Sequence, residues 1–528
     1  MSSVASKTVS KVVVIGSGVG GLTCAALLAQ SGYDVTVLEA QTYPGGCAST
    51  WAHKGFRFES GATVAGGFHE FGPHKVVGDR LGITWPVRRH ETAWVVHLPG
   101  CDVTLTSSNS EVVAKFPHTA KFWEQQTRLA DLTWRLASEA MPWPPTSAVE
   151  VLQLAKIAMK YFPQDVALLP YAFMTVYDWL KKLGLADDKA FLRFLDGQLL
   201  ISAQTTSRHV NALWGATALD LARQGVYHVR GGIGGIAQTL VDTLRRDGGR
   251  VVYRHRVSRL EVSNGEVVGV WAHRGRAGSE AVYFPADFVV ANTTPWDVDA
   301  LLGRHSPARL RRELAGRKSG WGAFVLHLGV RETAFPEGLP EHHQLLLDLD
   351  GPLGEARSIF VSISPEWDDS RAPAGQRAVT ITTHTDPQRW WDALERGRDA
   401  YYDLKETYTR KIISALDQLI PGFEDSITLE LPGTPVTYQY YTDRHLGMVG
   451  GFPMTSLFSA RGPRTGIPNL RLVGDSIFPG QSTAGVTIGA MRVAADVRRN
   501  LPMCSPRVAP QSVTLTTDDD ESPEQEYA

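Results

Sequence analysis

The N-terminal part of the chain contains three segments with different hydrophobic patterns. The β-branched run from Val12 to Ile15 is typical of a buried strand, and the Ala- and Leu-rich stretch from Leu22 to Gln30 is typical of a helix. A second apolar run, from Val35 to Leu38, ends at Glu39. Strand, helix and strand in this order predict a βαβ unit, and therefore a parallel sheet in an α/β fold.

Buried-strand patterns return much later, at Phe288 to Ala291 and near Leu470, and a helix of small residues follows the second of them. Before the first of them, the pattern predicts a helix from Ile236 to Arg246, a strand near Val251 and a hairpin that turns at Asn264–Gly265. After it, three segments are typical of strands in a separate and mainly antiparallel sheet: Gly322 to Val330, Arg357 to Ser364 and Arg377 to Thr385. We therefore expect the chain to leave the parallel sheet and to return to it more than once.

The region from about Phe116 to Trp214 has many helical patterns and few strand patterns. Within it, the stretch from Val151 to Leu185 is apolar and aromatic and also carries four lysines: Lys156, Lys160, Lys181 and Lys182. A basic amphipathic helix of this kind can lie at a membrane interface, and it can equally line a cavity of the protein itself. The pattern leaves both interpretations open.

These patterns divide the chain into six predicted segments. A discontinuous Rossmann-like domain is expected at 10–80, 226–300 and 461–503. A helical cap is expected at 81–225, a mixed α+β substrate-domain sheet at 301–460 and a disordered acidic tail at 504–528.

Composition narrows the class of protein further. The 528 residues have a net charge of -2, which gives no electrostatic argument for nucleic acid binding. The four cysteines form no CxxC pair, the first ten residues have no apolar core of a secretory signal, and no apolar run is long enough to span a membrane. These features predict a cytoplasmic protein without a metal site. They leave attachment to a membrane surface open, and peripheral attachment is our expectation.

Three glycines after the first strand give that strand its chemical interpretation. Gly16, Gly18 and Gly21 form G-x-G-x-x-G at the opening of the helix, and Glu39 follows at the end of the second strand. The glycines permit a tight turn, close approach of a pyrophosphate and close helix packing, while an acid at this distance accepts hydrogen bonds from a ribose. A second glycine pair, Gly45–Gly46, favours FAD over a nicotinamide dinucleotide, because FAD extends towards this loop.

Other residues with functional chemistry are scattered along the chain. No Ser/His/Asp or Cys/His arrangement for nucleophilic catalysis is evident, so the catalytic residues are unknown at this level. The histidines of "EHHQ", from Glu341 to Gln344, are interpreted as a pair in a surface loop, and Gly231 to Gly235 as a loop that leads into a helix.

The order of several motifs resembles that of carotenoid desaturases and isomerases, in the amine-oxidase-like group of FAD enzymes. The motifs are "GSGVGG", "PGGCAST", "FRFESGAT", "YHVRGGIGGIAQTL", "GTPVTYQYYTDRHLGMVGG" and "LRLVGDSIFPGQSTAGVTIGA". The chain is most similar to the bacterial phytoene-desaturase type, and within it to the subgroup with prolycopene isomerase and hydroxycarotenoid 3,4-desaturases. Retinol saturase is a more distant relative.

The resemblance implies FAD as the cofactor and assigns the residues that would hold it. The implied cofactor-binding residues are Gly16, Ser17, Gly18, Gly20, Gly21, Glu39, Ala40, Gly45, Gly46, Cys47, Ala48, Val257, Gly474, Asp475, Ala484, Gly485 and Val486. The glycines of the first loop would follow the pyrophosphate, Glu39 the ribose and Val257 the adenine. The loop from Ser482 to Val486 would lie near the flavin ring, with a helix after Thr487 directing its N-terminus at the flavin.

One position departs from the pattern of this family. Many relatives have arginine directly after the glycine pair, where this chain has Cys47, so a positive charge at the phosphates is in doubt here. Arg444 and Glu59 lie in matching motifs. Contact with the flavin region is one role open to each, and a structural ion pair or a capping role is the favoured one.

The resemblance also implies an activity. It favours desaturation of a lipophilic carotenoid, in which flavin N5 accepts a hydride from an allylic carbon, with oxygen or a membrane quinone as the electron acceptor. The alternatives are carotenoid cis–trans isomerisation, oxidation of an amine or amino acid, and a carrier that has lost catalysis.

Overall fold

The computed structural model describes residues 9–275, 280–317 and 319–502, so the predicted tail at 504–528 lies outside the described residues. Its first sheet has five parallel strands in the order β19-β13-β1-β2-β9. These strands are β1 (Lys11–Ile15), β2 (Asp34–Leu38), β9 (Arg250–Val252), β13 (Phe288–Ala291) and β19 (Leu470–Leu472). The sheet is therefore assembled from segments that are far apart in sequence.

Helices cover this parallel sheet. They are α1 (Val19–Gln30), α2 (Pro73–Leu81), α11 (Gly234–Arg246), α12 (Pro295–Leu302), α13 (Ala308–Ala315) and α17 (Thr483–Asn500). Helix α1 is buried from Val19 to Ala29, because α17 and α11 both pack against it. Such burial explains why its sequence is apolar on all sides rather than amphipathic.

The second large sheet has seven strands in the order β18-β14-β17-β16-β15-β6-β7, and only the β15–β6 pairing is parallel. The strands are β6 (Trp94–Leu98), β7 (Cys101–Leu105), β14 (Gly322–Arg331), β15 (His342–Leu346), β16 (Ser358–Ile363), β17 (Gln376–Thr385) and β18 (Ile427–Gly433). Helices α14 (Pro387–Arg396) and α15 (Arg398–Leu419) share a core with it, and α16 (Pro435–Thr442) follows β18.

The remaining strands form three small sheets. They are β3 (Thr50–His53) with β4 (Phe56–Glu59), β5 (Val87–Arg89) with β8 (Tyr227–Val229), and the three-stranded sheet of β10 (His255–Ser263), β11 (Glu266–Arg274) and β12 (Ala281–Pro285). The β10–β11 hairpin turns at the predicted Asn264–Gly265.

Between residues 110 and 224 the α-helices form a unit with its own core. They are α3 (Ser110–Lys115), α4 (Ala120–Ser138), α5 (Ala148–Tyr161), α6 (Leu169–Ala172), α7 (Val176–Lys182), α8 (Lys189–Ala203), α9 (Ala212–Ala218) and α10 (Leu221–Gln224). Large buried side chains such as Phe122, Trp179 and Phe191 fill this core. None of the helices in the described part of the chain is long and apolar enough to cross a membrane.

The predicted fold class is confirmed: a discontinuous Rossmann-like α/β domain is combined with a mixed sheet and a helical unit. Two local predictions are wrong. His342 and His343 lie in the buried strand β15 rather than in a surface loop, because strands pair with β15 on both sides. Helix α17 begins at Thr483 and not after Thr487, so the segment from Ser482 to Val486 is a helix start rather than a loop.

Candidate functional site

The glycine-rich junction lies at the carboxyl ends of β1 and β13. The backbone of Gly18 pairs with that of Gly45, and a Cβ on Gly20 would lie 3.2 Å from both Cα and N of Gly474. The side chain of Asn292, directly after β13, packs against Gly18, Gly20 and Gly474. The three glycine segments thus form one cradle in which backbone can approach a ligand closely.

Glu39 lies at the edge of this cradle with its carboxylate held in place. Its Oε2 accepts hydrogen bonds from the backbone N of Ser17 at 2.8 Å and from the Ser17 hydroxyl at 2.6 Å. Its Oε1 accepts one from the backbone N of Gln41 at 2.8 Å. These three bonds fix the carboxylate while leaving further acceptor capacity for a ribose hydroxyl.

The second junction begins where β19 ends. Gly474 has a φ of +102°, which favours glycine, and Asp475 follows it. Ser482 caps the N-terminus of helix α17, and its side chain accepts a hydrogen bond from the backbone N of Gly485 at 3.0 Å. The unpaired N–H groups of the first turn therefore lie in the segment that the sequence assigns to the flavin ring.

An ion pair lies close to residues of both glycine-rich junctions. Arg444 Nη2 donates to Asp475 Oδ2 at 2.8 Å, and the pair is nearly buried. Burial lowers the pKa of Arg444, but the carboxylate of Asp475 and other neighbours outweigh this and raise it overall, so the guanidinium stays charged. Cys47 lies close by, and burial raises the pKa of its thiol, although Arg444 partly opposes that shift.

These groups line one cavity of about 1570 Å³, which is larger than the range of roughly 300–1,000 Å³ typical of a single small-molecule site. We distinguish two arms by their lining. The cofactor arm contains the glycine cradle, Glu39, Asp475 and the start of α17. The apolar arm runs into the helical unit and is lined by residues that include Trp134, Met141, Trp143, Leu154, Ile157, Leu168, Leu200, Leu213, Trp214, Ala218 and Phe360.

All of the cofactor-binding residues predicted from the sequence line this cavity except Gly21. A Cβ on Gly21 would lie 2.5 Å from the carbonyl oxygen of Gly16, so this glycine allows close packing of α1. Glu59 does not line the cavity either, and forms a buried ion pair with Arg371. The sequence analysis assigned no role to Asn292, although its place at the end of a buried parallel strand was a usable signal.

The cavity has the chemistry that a dinucleotide requires. A side chain introduced at Gly20 or Gly474 would fill the cradle. Two cavity-lining hydroxyls, those of Thr293 and Tyr438, have no hydrogen-bond partner among the described residues. Buried polar groups are nearly always paired, so such groups mark where a polar ligand belongs. The residues present therefore fit FAD.

Comparison with known proteins supports this interpretation. Residues 14–81 match the model of an NAD(P)-binding Rossmann-like domain, and residues 121–498 match that of flavin containing amine oxidoreductases. Prolycopene isomerase of Daucus carota is 30% identical over 92% of this chain and 80% of its own length. All-trans-retinol 13,14-reductase of Rattus norvegicus is 25% identical over 93% of this chain and 86% of its own length.

Solved structures show the same fold at low sequence identity. An oxidoreductase from Methanosarcina mazei superposes with a TM-score of 0.61 at 18% identity, covering 92% of this chain and all of that one. Putrescine oxidase superposes with a TM-score of 0.58 at 16% identity, covering 93% and 99%. Taken with the cradle and the cavity, these matches show that the chain belongs to the flavin-containing amine oxidoreductases and is an FAD-dependent oxidoreductase.

Proposed function

We propose that this enzyme acts on a carotenoid, and that it isomerises a double bond of the polyene. The observation that carries the proposal is the continuity of the cavity: the cofactor arm opens directly into the apolar arm. A long hydrocarbon can therefore place a carbon of its chain at the flavin while aliphatic and aromatic side chains enclose the rest.

The charges around the cavity support an uncharged substrate. The carboxylates that line it are Glu39, Asp165, Asp297, Asp443 and Asp475. Four of them lie around the cofactor arm, where Asp443 pairs with Arg256, and only Asp165 lies in the helical unit. The carboxylates of the cofactor arm already have partners, because Asp475 pairs with Arg444 and Asp297 accepts hydrogen bonds from Thr294. An ammonium substrate would need a carboxylate that is not already paired, or an aromatic cage, so an amine oxidase is the weaker alternative.

The side chains of the apolar arm are suited to binding and orientation rather than to proton transfer. His384 lines the cavity, and burial lowers its pKa to about 4, so its ring is neutral near pH 7. Bound FAD supplies reversible hydride or electron transfer, and the residues of this chain position the polyene and exclude water.

The sequence favours desaturation. Prolycopene isomerases match 92% of this chain at 28–30% identity, whereas retinol 13,14-reductases match 93% of it at 25% identity, and we therefore place isomerisation first. Desaturation remains the second candidate, and oxygen or a quinone would then have to accept the electrons. The two reactions differ in mass balance, because desaturation removes two hydrogens and isomerisation removes none.

The experiment is turnover of acyclic carotenoids by FAD-loaded protein in liposomes, with products separated by chromatography and weighed by mass spectrometry. A product of unchanged mass and altered retention supports isomerisation, and a product two hydrogens lighter supports desaturation. Ala218→Trp, which fills the apolar arm, should abolish turnover while flavin stays bound, whereas Ala315→Trp on an exposed position of α13 should not. If every carotenoid tested is recovered with unchanged mass and retention, the proposal is wrong.

We further propose that the helical unit docks on a lipid membrane. Large apolar side chains are exposed along α5, α6 and the turn between them: Val149, Val151, Leu152, Met159, Phe162, Val166, Leu169 and Phe173. Leu154, Ala158 and Leu169 of the same segment line the cavity, so one segment carries both the exposed apolar side chains and part of the cavity wall. The exposed Lys156, Lys181 and Lys182 add positive charge, which complements anionic lipid.

Co-sedimentation with vesicles containing phosphatidylserine tests this docking. Each exposed Phe contributes about 1.5–3 kcal/mol when it leaves water, so Phe162→Ser with Phe173→Ser should reduce binding at least tenfold. Tyr440→Ser replaces an aromatic residue of similar exposure, 67%, on α16 and should leave binding unchanged. Equal binding by all variants would contradict the proposal.

A further inference from the structure

The residue after the glycine pair brings no charge to the cofactor site of this chain. Position 47, directly after Gly45–Gly46, is a cysteine. Burial raises the pKa of the Cys47 thiol, so it is neutral near pH 7. A diphosphate placed in the cradle would still carry two negative charges that the backbone N–H groups only partly balance.

Arg444 has the donors that such an anion requires. A guanidinium carries five N–H donors, and three of those in Arg444 are used. Its Nε donates to the carbonyl oxygen of Met448, and Nη2 donates to the carbonyl oxygen of Gly450 and to Asp475, each at 2.8 Å. Within the described part of the chain, Nη1 makes no hydrogen bond, and Arg444 lines the cofactor arm.

Arg444 also interacts with two residues that each directly follow a glycine of the cradle. It is bound to Asp475, which follows Gly474, and Gly474 faces Gly20 at 3.2 Å from the Cβ position of that residue. Its charge also acts on Cys47, which follows Gly46, and Gly46 faces Gly18. A phosphate group held between these glycines is therefore within reach of the guanidinium.

We propose that Arg444 is the cationic contact of the FAD diphosphate in this chain, and that Asp475 positions it. The three bonds to Met448, Gly450 and Asp475 hold the guanidinium in one orientation and leave the Nη1 donors for the ligand. This inference depends on the FAD cofactor and is independent of which substrate the enzyme takes.

The test compares the binding of FAD with that of riboflavin, which has the flavin ring and ribityl chain but no phosphates. Titration of apoprotein, followed by flavin fluorescence, should show that Arg444→Met weakens FAD binding about 10- to 100-fold, because a charge-assisted contact is lost. Riboflavin binding should stay within about twofold of wild type. Arg461→Met breaks another buried ion pair, with Glu313 outside the cavity, and should change neither affinity.

Two further variants make the test robust. Cys47→Arg combined with Arg444→Met should recover most of the lost FAD affinity, because the cation returns from the other side of the cradle. Arg444→Lys keeps the charge with fewer donors and should bind FAD more weakly than wild type with riboflavin binding unchanged, so it carries the test if Arg444→Met fails to fold. Equal losses for FAD and riboflavin, or no loss for either, would overturn the proposal.

Discussion

His74 provides a quantitative test of the packing around helix α2, which covers the parallel sheet. It lies in the first turn of α2 with 1% of its surface exposed, stacked on Phe68 at 4.6 Å and edge-on to Trp85 at 5.4 Å. Neither ring nitrogen has a hydrogen-bond partner among the described residues. Burial without compensation lowers the pKa of His74 to about 3, compared with 6.5 for an exposed histidine.

The sign of the effect follows from which state binds the proton first. As the pH falls below 6.5, His74 becomes protonated in the unfolded chain, whereas in the folded protein it stays neutral until about pH 3. The contribution of this residue to the free energy of unfolding is therefore complete above pH 6.5 and is lost across this interval. At about 1.4 kcal/mol for each unit, the whole difference is about 5 kcal/mol, of which about 2 kcal/mol is lost by about pH 5.

His74→Met keeps a similar volume and removes the titrating group. Urea unfolding of apoprotein, followed by tryptophan fluorescence, should show that the stability of the variant relative to wild type improves by about 2 kcal/mol between about pH 7.5 and about pH 5. His209→Gln, at an exposed position, serves as the control and should show no such change. If the stability difference between His74→Met and wild type is the same at both pH values, the uncompensated burial inferred for His74 is incorrect.

Three other substitutions test single features of the structure. Gly20→Ala places a Cβ 3.2 Å from the backbone of Gly474 and should weaken FAD binding at least tenfold by fluorescence titration, while Gly316→Ala, which meets nothing closer than 3.8 Å, should not. Glu150→Gln leaves buried Arg492 without its carboxylate and should cost about 3 kcal/mol in thermal unfolding, and a cost below about 1 kcal/mol would show that the pair is dispensable. Tyr438→Phe removes a buried hydroxyl that has no described partner and should stabilise the apoprotein by about 1 kcal/mol, whereas a loss of stability would reveal a partner.

The parallel sheet could be predicted from sequence because its strands are short runs buried on both faces. β1, β2 and β13 were located within one residue of their ends, since each is bounded by glycine, acid or turn residues. The same reasoning failed at His342 and His343, where polar residues are buried. Their partners come from other strands: His342 Nδ1 lies 2.9 Å from Ser362 Oγ, and His343 Nδ1 lies 3.1 Å from His97 Nε2. Hydrophobic periodicity cannot reveal such pairings.

The cofactor site also has features that could be predicted from the sequence and features that could not. Its glycines and Glu39 follow a local spacing that backbone geometry dictates, so they are visible in sequence. The start of α17 was missed because Ser, Thr and Gly are typical of loops, although Ser482 here caps a helix. The neighbourhood of Arg444 and Cys47 was not predictable, because 396 positions separate them and only the tertiary fold brings them together.

The position of β19 has a consequence for protein synthesis. Among the strands named above, this strand pairs with β13, and α17, which follows it, packs against α1 near the opposite end of the chain. A ribosome must therefore translate past Leu472 before the sheet gains its last strand and the cradle gains Gly474. A nascent or prematurely terminated chain has no complete place for the flavin, and so retention of the yellow cofactor reports that translation has reached the end of the fold.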